Sequence, residues 1–86
     1  MFGPRSPTPS SDLRRFAYRR DLALSRREQQ ILWLMCQGWL AGEIAAQLSR
    51  APTTIRTHRE RIYRKTGCRT QVQLGVWAVR HGLVRR

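Results

Sequence analysis

Residues 43–65 decide the fold, and they read EIAAQLSRAPTTIRTHRERIYRK. The spacing of apolar residues predicts a short helix over 41–48 and a basic helix over 53–65. Only four residues, 49–52, separate the two, and Pro52 suits a first helical turn because its missing N–H would be unpaired there. A short turn between two helices, the second of which is basic, is typical of a helix-turn-helix that places its second helix in the major groove of DNA.

The basic helix over 53–65 is predicted to have two unlike faces. Ile55 and Ile62 fall within about 20° of each other on a helical wheel, with His58 and Arg59 on either side, so this face should pack on other helices. We interpret His58 as a packing residue rather than a pH switch. On the opposite face basic residues outnumber acids, unlike the mixed charges of an ordinary solvated helix. That outward face consists of Thr53, Arg56, Thr57, Glu60, Arg61 and Arg64.

Side-chain chemistry divides this helix into two roles. Arg56 can donate a bidentate pair of hydrogen bonds to guanine, Thr57 can meet a base edge or a thymine methyl, and Glu60 can accept from cytosine N4. These three residues are the candidates for reading bases. Contacts with phosphates set the register of a protein on DNA and carry no sequence information. We predict phosphate contacts for Thr53, Thr54, Arg61, Arg64 and Lys65.

A helix that opens at Ser25 is predicted upstream of this motif. Ser25 and Glu28 have the spacing of a capping box, in which each side chain accepts a hydrogen bond from the other residue's backbone N–H. Gly38 supplies the left-handed conformation that ends such a helix. With a fourth helix over 71–81, the sequence predicts an all-α, four-helix domain over residues 24–86.

The fourth helix is predicted to begin at the cap Thr70 and to end at Gly82. It has two apolar faces, and a four-helix domain needs to bury only one of them. The second face is the predicted surface of a two-fold symmetric homodimer. Leu74, Trp77 and Ala78 form the core face, and Val72, Gly75, Val76 and Val79 form the dimer face.

Residues 1–23 are predicted to be a basic tail outside the domain. Three of the four prolines lie in the first eleven residues, which contain too little apolar surface to offset the entropy of ordering. Residues 12–21 have a weak helical periodicity, so the tail is either disordered or partly helical. Its arginines either project from a flexible arm or touch phosphates beside the main site; they are Arg14, Arg15, Arg19 and Arg20.

The charge of the chain favours a polyanionic partner. It has 17 Lys and Arg against 5 Asp and Glu, a formal net charge of +12, and twelve of the basic residues lie from residue 25 onwards. We therefore expect double-stranded DNA as the partner. RNA is a weaker candidate because a helix cannot read the deep, narrow major groove of A-form RNA.

Other classes of function lack support in the sequence. No apolar run approaches the roughly 20 residues of a membrane span, and no signal peptide is found, so we expect a soluble, cytoplasmic protein. Cys36 and Cys68 lack the paired spacing of a zinc site, and neither His58 nor His81 has a second ligand nearby. No nucleophile has a base and an orienting acid at recognisable spacing. We expect no catalytic residue, metal, cofactor or small-molecule ligand.

Four motifs in order carry a resemblance to a known family. They are L-S-x-R-E from Leu24 with a later Q-G, E-I-A-x-x-L from Glu43, T-I-R-x-H from Thr54 and K-x-G from Lys65. With them, residues 24–84 resemble the LuxR/FixJ-type, or GerE-like, DNA-binding domain of bacterial transcription regulators. The resemblance implies a tetrahelical domain that dimerises through its fourth helix and reads a two-fold-related DNA site with its third. It also implies that Arg56, Thr57 and Glu60 face bases and that Thr54 and Lys65 lie near phosphates.

Such domains usually follow a receiver or ligand-binding domain, whereas only the basic tail precedes the motif in this sequence. We therefore expect a small stand-alone transcription regulator, either an activator or a repressor, and we do not carry over the family's control by phosphorylation or an autoinducer. The chain departs from the family pattern at Leu40 and Ala51, where polar N-caps are usual, so both caps should be weak. Gln71 replaces an arginine that is common at the start of the fourth helix.

A group of apolar residues leaves a second function open. Trp33 stands at a usually polar site of the first helix, and with Trp39 and Leu40 it could form an exposed patch of the kind that often marks a protein contact. The domain would then be a protein-docking module that holds RNA polymerase or another regulator, with DNA binding secondary. Alternatively, one or more of the three fold back under the N-terminal segment, onto Phe16 or Tyr18.

Overall fold

Four α-helices form within residues 15–84, the part of the chain that the computed structural model describes. They confirm the predicted all-α fold, and the described residues contain no strand. Given their length and polarity, none of these four helices could span a bilayer. The last three lie within one residue of their predicted bounds. The helices are α1, Arg26–Cys36; α2, Ala41–Gln47; α3, Pro52–Thr66; and α4, Gln71–Arg80.

The start of α1 is stabilised by the predicted capping box. The Ser25 hydroxyl accepts a hydrogen bond from the Glu28 N–H at 3.1 Å, and Glu28 Oε1 accepts one from the Ser25 N–H at 2.8 Å. A side-chain cap of this kind contributes about 1 kcal/mol. At the other end Gly38 has a φ of +95°, a conformation that residues with a side chain adopt only under strain, so the chain leaves the helix there.

The two helices of the predicted motif begin without side-chain caps, as expected from Leu40 and Ala51. At α2 the Glu43 carboxylate compensates in part, because its Oε1 accepts a hydrogen bond from the Leu40 N–H at 2.7 Å. At α3 the ring of Pro52 fixes φ in the helical range at the first position. Between the helices Ser49 adopts a φ of +54°, and this left-handed residue turns the chain from α2 into α3.

The core lies between α1 and the other three helices, each of which contacts α1. Burial of apolar side chains is the dominant favourable term in folding, and a domain this small has few such side chains to spare. Each helix therefore contributes its apolar stripe. The side chains with no exposed surface include Ile31, Leu32, Leu34, Ile44, Ile55, Ile62 and Ala78.

Residues 15–23 form an irregular strap, without helix, against the helices of the domain. The strap is held by Gln29, whose side chain is fully buried in α1. Gln29 Oε1 accepts a hydrogen bond from the Arg19 N–H at 2.9 Å, and its Nε2 donates to the carbonyls of Arg19 and Leu24. These bonds satisfy the buried amide and the strap backbone together. The rest of the predicted tail, residues 1–14, lies outside the described part of the chain.

The strap also contacts the end of α4. Arg19 Nη1 donates a hydrogen bond to the Gly82 carbonyl at 3.1 Å, and the guanidinium forms an ion pair with Asp21 at 3.1 Å. The hydrogen bond from Arg19 lowers the pKa of Asp21 below its usual value. Because Arg19 is engaged within the domain, the alternative in which this residue touches a phosphate is disfavoured.

The predicted exposed patch of Trp33, Trp39 and Leu40 does not form. Trp33 is 5% exposed and Trp39 is 4% exposed, whereas Leu40 is 70% exposed. The Phe16 ring of the strap packs edge-on against Trp33, with the ring centroids 6.3 Å apart. The strap therefore covers Trp33, which matches the alternative that these residues fold back under the N-terminal segment. Of the three residues predicted to contact another protein, Leu40 is the one that is exposed.

Candidate nucleic-acid interface

α3 presents one face to the core and the other to solvent, as predicted. Ile55 and Ile62 have no exposed surface and hold the helix against its neighbours α1 and α2. His58 and Arg59 are half-buried at the two edges of this contact. The packing thus fixes the rotation of α3 about its axis, and with it the side chains that a partner can reach. These exposed side chains include Thr53, Arg56, Thr57, Glu60, Arg61 and Arg64.

The three predicted base-reading residues lie together on the exposed face of α3. Arg56 and Glu60 are neighbours because they stand one turn apart, and Thr57 follows Arg56 on the same side. The Thr57 hydroxyl donates a hydrogen bond to the Thr53 carbonyl at 3.1 Å. Since that bond uses the hydroxyl hydrogen, Thr57 can offer a partner only an oxygen lone pair and its methyl group. A thymine methyl or a base amino group suits this side chain.

Among the predicted phosphate ligands, Thr54 is the one that is not exposed. It is half-buried in the first turn of α3, where its N–H donates to the Ala51 carbonyl at 3.0 Å. Thr53, Arg61 and Arg64 are all exposed. These three side chains are therefore accessible to a DNA backbone, whereas Thr54 is accessible only in part.

Lys65, the fifth predicted phosphate ligand, belongs to an ion pair. Its Nζ lies 2.9 Å from Glu28 Oε1, and the Glu28 side chain is only 4% exposed. Burial raises the pKa of Glu28, but hydrogen bonds from Lys65 and from the Ser25 N–H outweigh it and hold the pKa below its usual range. The pair ties the last part of α3 to the first turn of α1. The sequence did not reveal it because the two residues are 37 positions apart, and a phosphate contact by Lys65 stays a prediction.

His58 is half-buried at one edge of the face that α3 turns to the core. Its Nδ1 is buried without a hydrogen-bond partner. Burial lowers the pKa of His58, and the charges of Arg61, Arg27 and Arg50 lower it further against the opposing effect of Glu28. Guanidinium groups from three parts of the fold therefore act together to lower the pKa of one imidazole. Sequence reasoning missed Arg27 and Arg50, for which charge was the only available signal.

α4 has the two apolar faces that the sequence predicted. Leu74 and Ala78 are buried, whereas Val72, Val76 and Val79 are 77%, 47% and 37% exposed. A contiguous exposed apolar face on a small domain is typical of a surface that another macromolecule covers. The assignment of that face to a dimer stays a prediction.

A shallow apolar groove runs beside the exposed valines of α4. Its lining includes Gly75 and the valines, Cys36 at the end of α1, Arg80 at the end of α4 and Val84 after it. Burial raises the pKa of the Cys36 thiol to about 11, so the thiol is uncharged at neutral pH and Arg80 supplies the charge in this lining. The groove and the valines together form a surface suited to an apolar partner.

Comparison with known proteins adds independent information. The GerE family model, described as bacterial regulatory proteins of the luxR family, matches residues 22–78. Response regulator UvrY of Escherichia coli is 38% identical over 61 residues, which are 71% of this chain and 28% of UvrY. Transcriptional regulatory protein UhpA of Salmonella typhimurium is 36% identical over 67 residues, 78% of this chain and 34% of UhpA.

The solved structures include a similar domain. The crystal structure of response regulator ChrA, from a heme-sensing two-component system, matches with a TM-score of 0.68 and 32% sequence identity. The match covers 77% of this chain and 33% of ChrA. The chain therefore spans about a third or less of the length of the proteins that it resembles.

Proposed function

This chain belongs to the luxR family of bacterial regulatory proteins, and we propose that it is a sequence-specific transcription regulator that binds double-stranded DNA as a dimer. In this proposal α3 lies in the major groove, and two copies read a two-fold-related site. The observation that carries the proposal is the outward face of α3. Its arginines are exposed on a helix whose opposite face is locked in the core.

The exposed side chains of α3 support a division of roles. Arg56 has the fork of donors that matches guanine O6 and N7, and Glu60 has the acceptor that suits cytosine N4. Arg61 and Arg64 lie where they can neutralise phosphates, which contributes most of the salt-dependent affinity. Thr57 joins the base-reading group through its methyl group or its oxygen lone pair. The secondary phosphate ligands in this proposal are Thr53, Thr54 and Lys65. Lys65 is secondary because it already forms an ion pair with Glu28.

The exposed face of α4 supports the dimer. Val72, Val76 and Val79 leave apolar surface in water that a second copy would bury. A two-fold dimer buries the same surface on both copies, with Gly75 allowing the backbones a close approach. The α3 helices of the two copies then meet half-sites about one turn of DNA, or a multiple of it, apart. The expected binding site is therefore a palindrome.

The alternative of a protein-docking module loses its basis in the structure. Trp33 and Trp39 are buried, and a single exposed apolar residue such as Leu40 is common on protein surfaces. The patch on which this alternative rested is therefore buried, and we assign the remaining exposed apolar face, that of α4, to a second copy of the chain.

Selection of bound sites from random duplex DNA tests specificity and symmetry together. We expect one enriched palindromic sequence, because two α3 helices related by a two-fold axis read equal half-sites. Enrichment of an asymmetric sequence contradicts the dimer, and no enrichment contradicts sequence-specific binding. Fluorescence anisotropy against salt concentration then tests the role of charge. The affinity should fall steeply as salt rises, and a salt-insensitive complex would count against DNA as the partner of α3.

A further inference from the structure

The first turn of α1 lies beside α3, at an edge that neither the core nor the base-reading face uses. The ion pair between Glu28 and Lys65, at 2.9 Å, brings the two helices together there. His58 stands seven residues before Lys65 and therefore lies on the same edge of α3, with Arg61 between them. Arg27 directly precedes Glu28 in the first turn of α1, so the backbone of Arg27 is next to the ion pair between Glu28 and Lys65.

Arg50 approaches the same edge from the turn between α2 and α3. Arg50 is exposed, and it directly precedes Ala51, the N-cap residue of α3. Its N–H donates to the Ala45 carbonyl at 2.9 Å, which fixes the turn. The charges of Arg27, Arg50 and Arg61 all lower the pKa of His58, which agrees with this placement of the α2–α3 turn and the first turn of α1 beside α3. We refer to Arg27, Arg50 and Arg61 as the basic edge.

Within residues 15–84, no ion pair neutralises the basic edge. The ion pairs among residues 15–84 join Arg19 to Asp21 and Lys65 to Glu28, and neither involves a residue of the basic edge. Glu28 is the carboxylate that acts on His58, and its Oε1 is already bound by Lys65. Unneutralised like charges repel one another in the folded state, and a polyanion relieves that repulsion. Phosphate is also the anion that guanidinium groups bind with two parallel hydrogen bonds.

We propose that Arg27, Arg50 and Arg61 together hold one stretch of DNA backbone beside α3. This inference rests on the proposed DNA-binding function and adds two phosphate ligands that lie outside the helix in the groove. The strand passes along the edge of α3, from the turn before the helix to the first turn of α1. Contacts from three elements fix the angle at which α3 enters the groove, because phosphate contacts set the register and orientation of a protein on DNA.

The slope of the logarithm of affinity against the logarithm of salt concentration tests this proposal. The probe is a fluorescein-labelled DNA duplex of arbitrary sequence, because non-specific binding reports phosphate contacts and not base reading. We expect Arg27→Gln and Arg50→Gln each to reduce the slope by about 0.9 per bound copy, and the double variant to reduce it by about twice as much. Unchanged slopes in both variants overturn the proposal. If the unmodified chain shows no salt-dependent binding, the proposed DNA-binding function itself fails.

Three variants serve as controls. Arg80→Gln removes the same charge from the exposed last turn of α4 and should leave the slope unchanged. Arg27→Lys and Arg50→Lys should also retain the slope, because a lysine neutralises a phosphate as well. A slope lost in these lysine variants overturns the electrostatic explanation. Arg50 is exposed, so Arg50→Gln tests the proposal even if a change at half-buried Arg27 disturbs the fold.

The titration of His58, followed by NMR, provides a second readout. We expect its pKa to rise when the duplex is added, because bound phosphate offsets the guanidinium charges that lower it in the free protein. In the double variant Arg27→Gln, Arg50→Gln, two of those charges are gone, so the rise on adding duplex should be smaller. An equal rise in both proteins contradicts the proposal, since the responsible phosphate would then lie elsewhere.

Discussion

The outward faces of α3 and α4 differ, although the two helices are built alike. Ile55 and Ile62 from α3, and Leu74 and Ala78 from α4, are buried in the same core. On the outside, α3 carries arginines and α4 carries valines. The inner faces determine how each helix is placed, and the outer faces determine what it can meet. A polyanion suits the first outer face, and a second copy of the chain suits the other.

The largest effect is expected from a charge on the apolar face of α4. In a two-fold dimer, Val76→Glu places two carboxylates close together across the axis, and such juxtaposed like charges cost several kcal/mol. Analytical ultracentrifugation should show a monomer, and affinity for the selected palindrome should fall by more than about a hundredfold. Gln73→Glu, an exposed position on the same helix, is the matched control and should remain dimeric. A dimer that survives Val76→Glu contradicts this interface.

A smaller effect is expected at the base-reading face of α3. Arg56→Ala should weaken binding to the selected site by about 1–3 kcal/mol and relax the preference at one base position. Arg61→Ala should instead weaken binding to all sequences about equally, because a phosphate contact carries no sequence information. Both are measured by anisotropy on the selected site and on variants with single base changes. If the two substitutions change specificity in the same way, the assigned division of roles is wrong.

The contact between α1 and α3 should contribute to stability. Glu28→Ala removes the acceptor of the Ser25 N–H and the partner of Lys65, so the free energy of unfolding should fall by about 1–3 kcal/mol. Glu28→Gln keeps an acceptor for Ser25 and should cost less. Thermal unfolding followed by circular dichroism measures both. Equal melting temperatures for the three proteins would show that this contact contributes nothing to folding.

The smallest effect is a pH dependence that comes from His58. Its pKa in the folded protein lies below the ordinary value of 6.5, so the unfolded chain binds the proton more tightly. The free energy of unfolding should therefore decrease as the pH falls through about 6.5 towards the lowered pKa of the folded protein. The decrease should be less than about 1.4 kcal/mol for each unit by which the pKa of His58 differs between the folded and unfolded chain. Urea unfolding at pH values above and below this range measures the decrease. His58→Gln should show less of it, and an identical pH profile in the variant contradicts the assignment.

Glu28 affects the same measurement at lower pH. Its pKa in the folded protein lies below the ordinary value of 4.5, so its stabilising contribution is present above that pH and is lost as the pH falls through the lowered pKa. The His58→Gln variant retains this second loss. The two groups can therefore be distinguished by the pH range in which stability changes.

Local patterns predicted most of the helices and the orientation of α3. The capping box of Ser25 and Glu28 formed as predicted, and the Thr70 hydroxyl accepts a hydrogen bond from the Gln73 N–H at 3.1 Å at the start of α4. Such signals are readable because each one depends on residues within one turn of a helix. The periodicity of Ile55 within α3 was readable for the same reason.

Contacts between distant segments were not readable in this way. The weak periodicity of residues 12–21 favoured a helix or a flexible arm, yet Gln29 and Trp33 of α1 bind residues 15–23 as an irregular strap. Lys65 was predicted only as a phosphate ligand, and the structure also pairs it with Glu28. In both cases the partner lies on another element, which no spacing along the chain identifies.

By itself, the sequence determined four helices, their buried faces, an excess of positive charge on α3 and an apolar outer face on α4. Helix periodicity, caps and net charge are local or additive properties, so they can be evaluated before the chain folds. Only the tertiary structure decided that Trp33 and Trp39 are buried and that Lys65 is bound by Glu28. Each of these depends on which distant residues meet when the helices pack around a common core.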